Sequence, residues 1–325
     1  MTDDRLQATE KISVVGPRSS IALECAVNFK PHGIIPAMVT PLTDDERIDE
    51  PALRRLVNHL IAGGIHGLFA VGTQGEAYAL AFEEKRRVTE IVVEETRKRV
   101  PVYIGTGTIA TRETIALTQM AERVGADAVS VLTPYFIAPN ADEVYAHYAA
   151  IARATRLPVL LYTNPARTGV HLSPDVAARL AQIENIVGIK DSSGDLTLTT
   201  EFIRRAASAK FHVLAGRDTL IFATLVSGGS GSIAATANVV PQLVAEIYNA
   251  FVAGDLERAR QAQARLAPLR IAFDLGTFPV VIKEALALMG ICSGRAKAPV
   301  KPMTDARRAE LKQILQALGV KVVAD

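Results

Sequence analysis

A chain of 325 residues, 49% of them hydrophobic, can bury a large core and suits one large α/β domain with modest additions better than two unrelated halves. Thirty-six Lys and Arg against 34 Asp and Glu leave a formal charge of +2, with no block of like charges of the kind that holds nucleic acid or an acidic membrane, so a small-molecule partner is expected. Cys25 and Cys292 lie far apart without a CxxC, offering no framework for a secreted disulfide scaffold or a zinc site and pointing to a reducing cytoplasm.

Residues 1 to 30 begin with the polar MTDDRLQATE, and the apolar stretch IALECAV (21 to 27) is short and interrupted by Glu24. Neither a signal peptide nor a membrane anchor is indicated, and the segment reads as a loosely attached extension. From residue 33, short apolar runs alternate with longer amphipathic segments: GIIPAMV (33 to 39), GLFAVG (67 to 72), PVYIGTG (101 to 107), AVSVLTP (128 to 134), PVLLYTN (158 to 164), IVGIK (186 to 190), FHVLAG (211 to 216) and GSIAAT (231 to 236). This is the pattern of eight repeated βα units.

The intervening helices have readable ends. Asp49 and Pro51 suit the start of ALRRLVNHLIAGG, and Gly63 and Gly64 its stop. Ser173 and Pro174 suit the start of SPDVAARLAQ, and TRETIALTQMAERVG has a Thr-x-x-Thr opening and a closing glycine. Eight units over residues 31 to 240 predict a (β/α)8 barrel, and residues 241 to 325 read as a C-terminal helical region without strands. A doubly wound open sheet is the alternative, but no GxGxxG follows the first run.

In such barrels the site lies at the carboxyl ends of the strands, which here present GTQGE (72 to 76), TPYF (133 to 136), YTNPARTG (162 to 169), Lys190 and GRDT (216 to 219). A lysine at the inner end of a dry strand is partly desolvated, which favours the neutral amine and makes Lys190 a nucleophile for the carbonyl of a keto acid, or, on the plainer reading, a strand cap reaching solvent. Tyr162 on the neighbouring strand can shuttle protons to the carbinolamine, or simply fill the barrel. In Gly72-Thr73-Gln74-Gly75, glycines allow close backbone approach, and the amides with the Thr73 hydroxyl can cradle a carboxylate, although such turns also connect strands to helices generally. Together the three describe an enzyme acting on an α-keto acid.

From about residue 33 onward the chain resembles the dihydrodipicolinate synthase / N-acetylneuraminate lyase family of pyruvate-dependent class I aldolases and lyases. The resemblance rests on GTQGE, TPYF, YTNPARTG and GIKDSSGD in that order. It implies a homotetramer built as a dimer of dimers, Lys190 as the Schiff-base lysine, Tyr162 as the acid/base tyrosine, Thr73 as carboxylate ligand and relay hydroxyl, and Ile233 against the pyruvate methyl. It also implies that no metal or organic cofactor is needed. Arg167 matches the arginine that fixes the carboxylate of aspartate semialdehyde in the lysine-pathway synthases. Two positions depart from those synthases: Gln74 replaces a second threonine, and Phe136 replaces a relay tyrosine that reaches the neighbouring subunit's site. Tyr135 is adjacent, but a one-residue offset turns a strand side chain to the other face.

Gly216 and Asp218 are expected to line the aldehyde's end of the pocket and Ser192 to touch a substrate hydroxyl, although Asp218 equally suits a helix cap. AYALAFEEK (77 to 85) lacks the histidines found near the lysine-inhibitor site of some regulated synthases, so weak or absent inhibition by lysine is expected. The six histidines (32, 59, 66, 147, 171 and 212) show no compact ligand spacing, and GGSGS (228 to 232) reads as a turn before the eighth strand. The first substrate assignment is the 4-hydroxy-tetrahydrodipicolinate synthase reaction. A 2-keto-3-deoxy sugar-acid aldolase or sugar-acid dehydratase comes next, and a keto-acid-binding protein without turnover is the non-enzymatic alternative.

Overall fold

The computed structural model describes residues 29–207 and 210–323. The expected N-terminal extension, apart from residues 29 and 30, and Cys25 lie outside them. Eight strands form one sheet: β1 (Gly33–Pro36), β2 (Leu68–Ala70), β3 (Val102–Gly105), β4 (Ala128–Leu132), β5 (Val159–Thr163), β6 (Ile186–Asp191), β7 (His212–Ala215) and β8 (Gly231–Ala234), in the order β1-β8-β7-β6-β5-β4-β3-β2. All seven ladders are parallel. The ring closes by a parallel bridge between Ala37 and Phe69, where the Met38 amide donates to the Phe69 carbonyl at 2.9 Å. Closure leaves no exposed sheet edge, and the molecule is a (β/α)8 barrel followed by C-terminal helices.

The helices in chain order are α1 (Glu50–Ala62), α2 (Phe82–Thr96), α3 (Thr111–Val124), α4 (Ala141–Arg153), the one-turn α5 (Pro165–Thr168), α6 (Pro174–Leu180), α7 (Leu196–Arg205), α8 (Ile221–Val226), α9 (Pro241–Val252), α10 (Leu256–Ile271), α11 (Val280–Leu288) and α12 (Asp305–Ala317). Their ends follow from local chemistry. The Asp49 carboxylate accepts from the Ala52 amide at 3.0 Å with Pro51 in the first turn, and Ser173 Oγ accepts from Val176 at 3.3 Å with Pro174 first in α6. The start of α3 differs from the expected threonine cap. Ala110 occupies the cap position, and Thr114 bonds backward, accepting from the Thr108 amide at 3.2 Å and donating to the Ala110 carbonyl at 3.1 Å.

Two apolar layers result from strand alternation. Ile35, Phe69, Tyr103, Leu160, Leu214 and Ile233 fill the barrel, while residues of opposite parity pack outward against the helices. The ordered strands are shorter than their apolar runs, β2 covering only three residues, because the last residues of each run turn into the loops at the mouth. After β8, α9 packs on β1, α10 packs back on α9, and α11 and α12 pack on one another. This return brings residues 270 to 278 over the carboxyl ends of the strands, so the C-terminal helices supply a wall of the mouth.

Candidate active site

Tyr162 of β5 is in register with Lys190 of β6, and Lys190 with Leu214 of β7. Shared register on parallel neighbours points all three side chains to the same face, here the barrel interior. Lys190 is 5% exposed; its nitrogen lies 4.2 Å from the centre of the Tyr162 ring and 5.0 Å from that of Phe69. An amine is thus held between two aromatic rings at the floor of the mouth.

The Tyr162 hydroxyl is 3.3 Å from Thr73 Oγ1 and accepts from Asn164 Nδ2 at 3.2 Å. Burial alone pushes the phenol up, but the charge of Lys190 and the hydrogen bonds of Thr73, Asn164 and Ser192 outweigh it and bring the pKa below its ordinary 10.0. The group is therefore suited to give up and take back a proton.

Thr73 opens a tight turn in which the Gly75 amide donates to the Gly72 carbonyl at 3.0 Å and the Glu76 amide to the Thr73 carbonyl at 3.1 Å. The amides of Thr73 and Gln74 donate no hydrogen bond among the described residues, which leaves adjacent donors beside the Thr73 hydroxyl. Gln74 is 3% exposed, and both atoms of its carboxamide lack a hydrogen-bond partner among the described residues.

A cavity of about 510 Å³ joins these groups. Lys190, Tyr162, Thr73 and Gln74 line it together with Arg167, Ser192, Gly216, Asp218 and Ile233. A second cavity of about 290 Å³ adjoins it across Thr73, Tyr162 and Arg167, with a mostly apolar wall that includes Leu132, Tyr78 and Tyr135.

Several expected contributions are altered by the geometry. Gly75 lines neither cavity. A Cβ there would lie 3.0 Å from the Met38 carbonyl, and the Gly75 carbonyl accepts from Thr40 Oγ1 at 2.7 Å, so this glycine serves packing against the chain after β1. Gly216 does line the pocket, and its lack of a side chain makes room for Ser192, whose Oγ would lie 2.0 Å from a Cβ. The Asp218 carboxylate is occupied: its oxygens accept from Ala235 at 3.3 Å and Thr236 at 2.7 Å, pinning the turn after β8. Phe136 points away, 87% exposed with φ +76°, and only Tyr135 faces a cavity. The two side chains do point apart, but by the turn after β4, which ends at Leu132, rather than by strand alternation.

Sequence reasoning missed Asn164, Arg270, Phe273 and Phe278, all of which line the larger cavity. Asn164 was readable from its place one residue beyond the end of β5. The other three lie about 80 residues or more beyond Lys190, and nothing local marks them. Among the described residues, no group of three His, Cys, Asp or Glu side chains is placed to hold a metal ion.

A buried amine beside a phenol and a turn with two amides unpaired among the described residues, at the carboxyl-terminal mouth of a parallel barrel, is the arrangement a class I lyase requires. Comparison with known proteins is more specific. The Dihydrodipicolinate synthetase family matches residues 30–318. The 4-hydroxy-tetrahydrodipicolinate synthase of Methanopyrus kandleri is 41% identical over 296 residues, 90% of this chain and 98% of the relative, and that of Acidiphilium cryptum is 43% identical over 289 residues, 89% and 99%. Among solved structures, a prophage protein of the dihydrodipicolinic acid synthase family from E. coli K12, in complex with pyruvate, superposes with a TM-score of 0.87 at 36% identity over 89% of this chain and 99% of that one. The chloride-inhibited dihydrodipicolinate synthase of Acinetobacter baumannii, complexed with pyruvate, gives 0.87 at 37% identity over the same shares. The chain belongs to the dihydrodipicolinate synthetase family, whose members are pyruvate-dependent class I lyases and aldolases.

Proposed function

We propose that the chain condenses pyruvate with aspartate semialdehyde, the 4-hydroxy-tetrahydrodipicolinate synthase reaction, through an imine on Lys190. The observation that carries this reading is the register pair of Lys190 and Tyr162, with the phenol 3.3 Å from the Thr73 hydroxyl in one cavity. The names of the relatives at 41 to 43% identity favour this substrate over a sugar acid.

The steps follow from where each group stands. The Thr73 and Gln74 amides and the Thr73 hydroxyl hold the pyruvate carboxylate, and Ile233 packs against its methyl. Lys190 nitrogen adds to the keto carbon, and Tyr162 passes a proton to the carbonyl oxygen, which leaves as water. The resulting iminium loses a methyl proton to become an enamine, whose carbon attacks the aldehyde carbon while the aldehyde oxygen takes a proton. The substrate's own amine then displaces Lys190 from the imine, closing the ring and restoring the free lysine. Arg167, over the Phe278 ring at 4.8 Å, holds the carboxylate of the aldehyde as a planar two-pronged donor. The second proton of the departing water comes from the Lys190 nitrogen, and the phenolate left on Tyr162 takes up the methyl proton and returns it to the aldehyde oxygen.

The same proposal includes assembly into a homotetramer and a cytoplasmic setting. Phe136 at 87% and Ile137 at 68% exposure form an apolar surface beside the mouth, of the kind a second subunit covers. Sedimentation of the purified protein tests the assembly.

The chemistry is tested by incubating the protein with pyruvate and borohydride, measuring intact mass and mapping the peptide. A pyruvate-sized adduct on Lys190, absent from Lys190→Ala, is expected together with turnover of aspartate semialdehyde. A protein that binds pyruvate without trapping or turnover is a binding protein, and the proposal fails.

A further inference from the structure

The Thr73 turn is bracketed by two residues in the left-handed region: Val71 has φ +56° and Glu76 φ +58°. A β-branched residue is a rare occupant of that region, and such strain persists only where the surroundings impose it. At Val71 the neighbouring strand leaves the room, since a Cβ on Gly105 would lie 2.2 Å from the Val71 carbonyl oxygen. At Glu76 the side chain holds the backbone in place. Its carboxylate is fully buried, forms an ion pair with the fully buried Lys283 of α11 and accepts from the Lys297 amide at 2.7 Å, while Lys283 donates to the Arg295 carbonyl at 2.7 Å.

The conformation of this turn decides where two amides point. A trans peptide sets its N–H opposite its C=O, and both peptides here are trans. The Gly72 carbonyl, which shares a plane with the Thr73 amide, accepts from Gly75 at 3.0 Å and from Ala77 at 3.2 Å. The Thr73 carbonyl, which shares a plane with the Gln74 amide, accepts from Glu76 at 3.1 Å. Both carbonyls are thus turned into the loop, and the Thr73 and Gln74 N–H groups face away from it, beside the larger cavity that the two residues line. The Glu76 amide fastens the Gln74 plane, and the Glu76 backbone is in turn fixed by a carboxylate clamped from the C-terminal part of the chain. Neither Glu76 nor Lys283 lines either cavity.

We propose that Glu76 and Lys283 are positioning residues for the keto acid: their ion pair holds the strained turn in the setting that aims the Thr73 and Gln74 amides at the carboxylate, so that a contact outside the pocket sets the affinity for pyruvate. Neutralising both partners strands no charge and keeps the fold, but it frees Glu76 to leave the left-handed region, and the Gln74 plane turns with it. The inference rests on the lyase reading above, because the amides meet the carboxylate of the keto acid that Lys190 attacks.

The test measures the pyruvate concentration that half-saturates borohydride trapping on Lys190, beside urea midpoints, in the parent, in Lys283→Met and in the double variant Lys283→Met with Glu76→Gln. The double variant is expected to return towards the parent's stability while its half-saturating pyruvate stays raised by about tenfold, the loss of one charge-assisted hydrogen bond. Its KM for aspartate semialdehyde should stay within about twofold of the parent's. A merely structural pair would recover affinity along with stability. Arg308→Ala is the control: it loosens α12 from Glu284 of α11, which Arg308 meets at 3.4 Å, without reaching the turn, and should lower the urea midpoint with half-saturation unchanged. Should the double variant not fold, Glu76→Asp, which keeps both charges but shortens the tie, is expected to raise half-saturating pyruvate by about threefold. Parent-like half-saturation in the double variant, or in Glu76→Asp where that replaces it, overturns the positioning role, as does an equal rise in Arg308→Ala. No adduct on Lys190 of the parent at any pyruvate concentration overturns the lyase reading and this inference with it, whereas an adduct with parent-like saturation in the variants overturns the positioning role alone.

Discussion

Lys190 nitrogen lies 4.2 Å from the centre of the Tyr162 ring, its register partner on the next strand. The cation sits against the face of the ring while the hydroxyl at the ring's far end meets Thr73 and Asn164. In its charged form the lysine stabilises the phenolate of Tyr162, and in the proposed reaction it attacks only after giving up that proton. One register pairing couples the two functions.

Tyr162→Phe keeps the ring and removes only the proton carrier. The expected result is a fall in kcat of about 10²- to 10⁴-fold, with the pyruvate adduct still mapping to Lys190. A kcat within about threefold of the parent would mean that Tyr162 only fills the barrel.

Asn164 acts through Tyr162, donating to its oxygen at 3.2 Å and so favouring the phenolate. Asn164→Ala removes that donor, and the tyrosine pKa rises. Any step that uses the phenolate as a base then needs a more alkaline solution, so the acid limb of the kcat profile moves to higher pH. Lowered kcat with an unmoved limb would reduce Asn164 to a packing residue.

Both ends of the buried Gln74 carboxamide lack partners among the described residues. Gln74→Leu keeps much of the volume and removes the orphaned groups, so stability should rise by about 1–3 kcal/mol while kcat/KM falls. Urea unfolding and steady-state kinetics on the same preparation check both. A less stable variant with intact kinetics would show that the amide is satisfied in solution and idle in the reaction.

The barrel was legible because each strand is a short apolar run bounded by glycine, proline or a polar turn. Lys190, Tyr162 and Thr73 stand out because polar groups at the ends of such runs need a reason. What stayed hidden was set by tertiary return rather than local pattern. Arg270, Phe273 and Phe278 belong to segments that read as packing helices, and only the fold of α10 back over α9 carries them to the mouth. Asp218 stands at the expected strand end and lines the larger cavity, while its oxygens also accept from backbone amides after β8, which no local pattern announces.

Glu76 and Lys283 form an ion pair with both side chains fully buried. Lys283 also donates to the Arg295 carbonyl at 2.7 Å, and Glu76 accepts from the Lys297 amide at 2.7 Å. The pair thereby fastens α11 and the loop after it to the residue that follows the Thr73 turn. Lys283→Met strands a buried carboxylate and should destabilise by about 3–5 kcal/mol, and adding Glu76→Gln should recover part of that. Denaturant midpoints of the two singles and the double decide it, and additive losses would show that the residues do not act as a pair.

His147 supplies the clearest pH dependence. Its ring is 6% exposed, Nδ1 meets Thr111 Oγ1 at 2.9 Å, and Nε2 is buried without a partner among the described residues. Burial holds its pKa down at about 4, against an ordinary 6.5. Above pH 6.5 neither the folded nor the unfolded chain binds the proton, and the group is neutral in its effect. As pH falls from 6.5 to about 4, the unfolded chain takes up a proton that the folded chain refuses, so stability drops by roughly 3 kcal/mol in total and levels off below the folded pKa. His59, His66 and His212 are lowered by burial in the same direction and steepen the slope. In His147→Asn, which keeps a polar group near Thr111 but does not titrate, the stability difference between pH 7 and 4.5 should shrink by about 2 kcal/mol. An unchanged difference would place the acid sensitivity in the other three histidines or in carboxylates, and would mean that the His147 ring accepts its proton without unfolding.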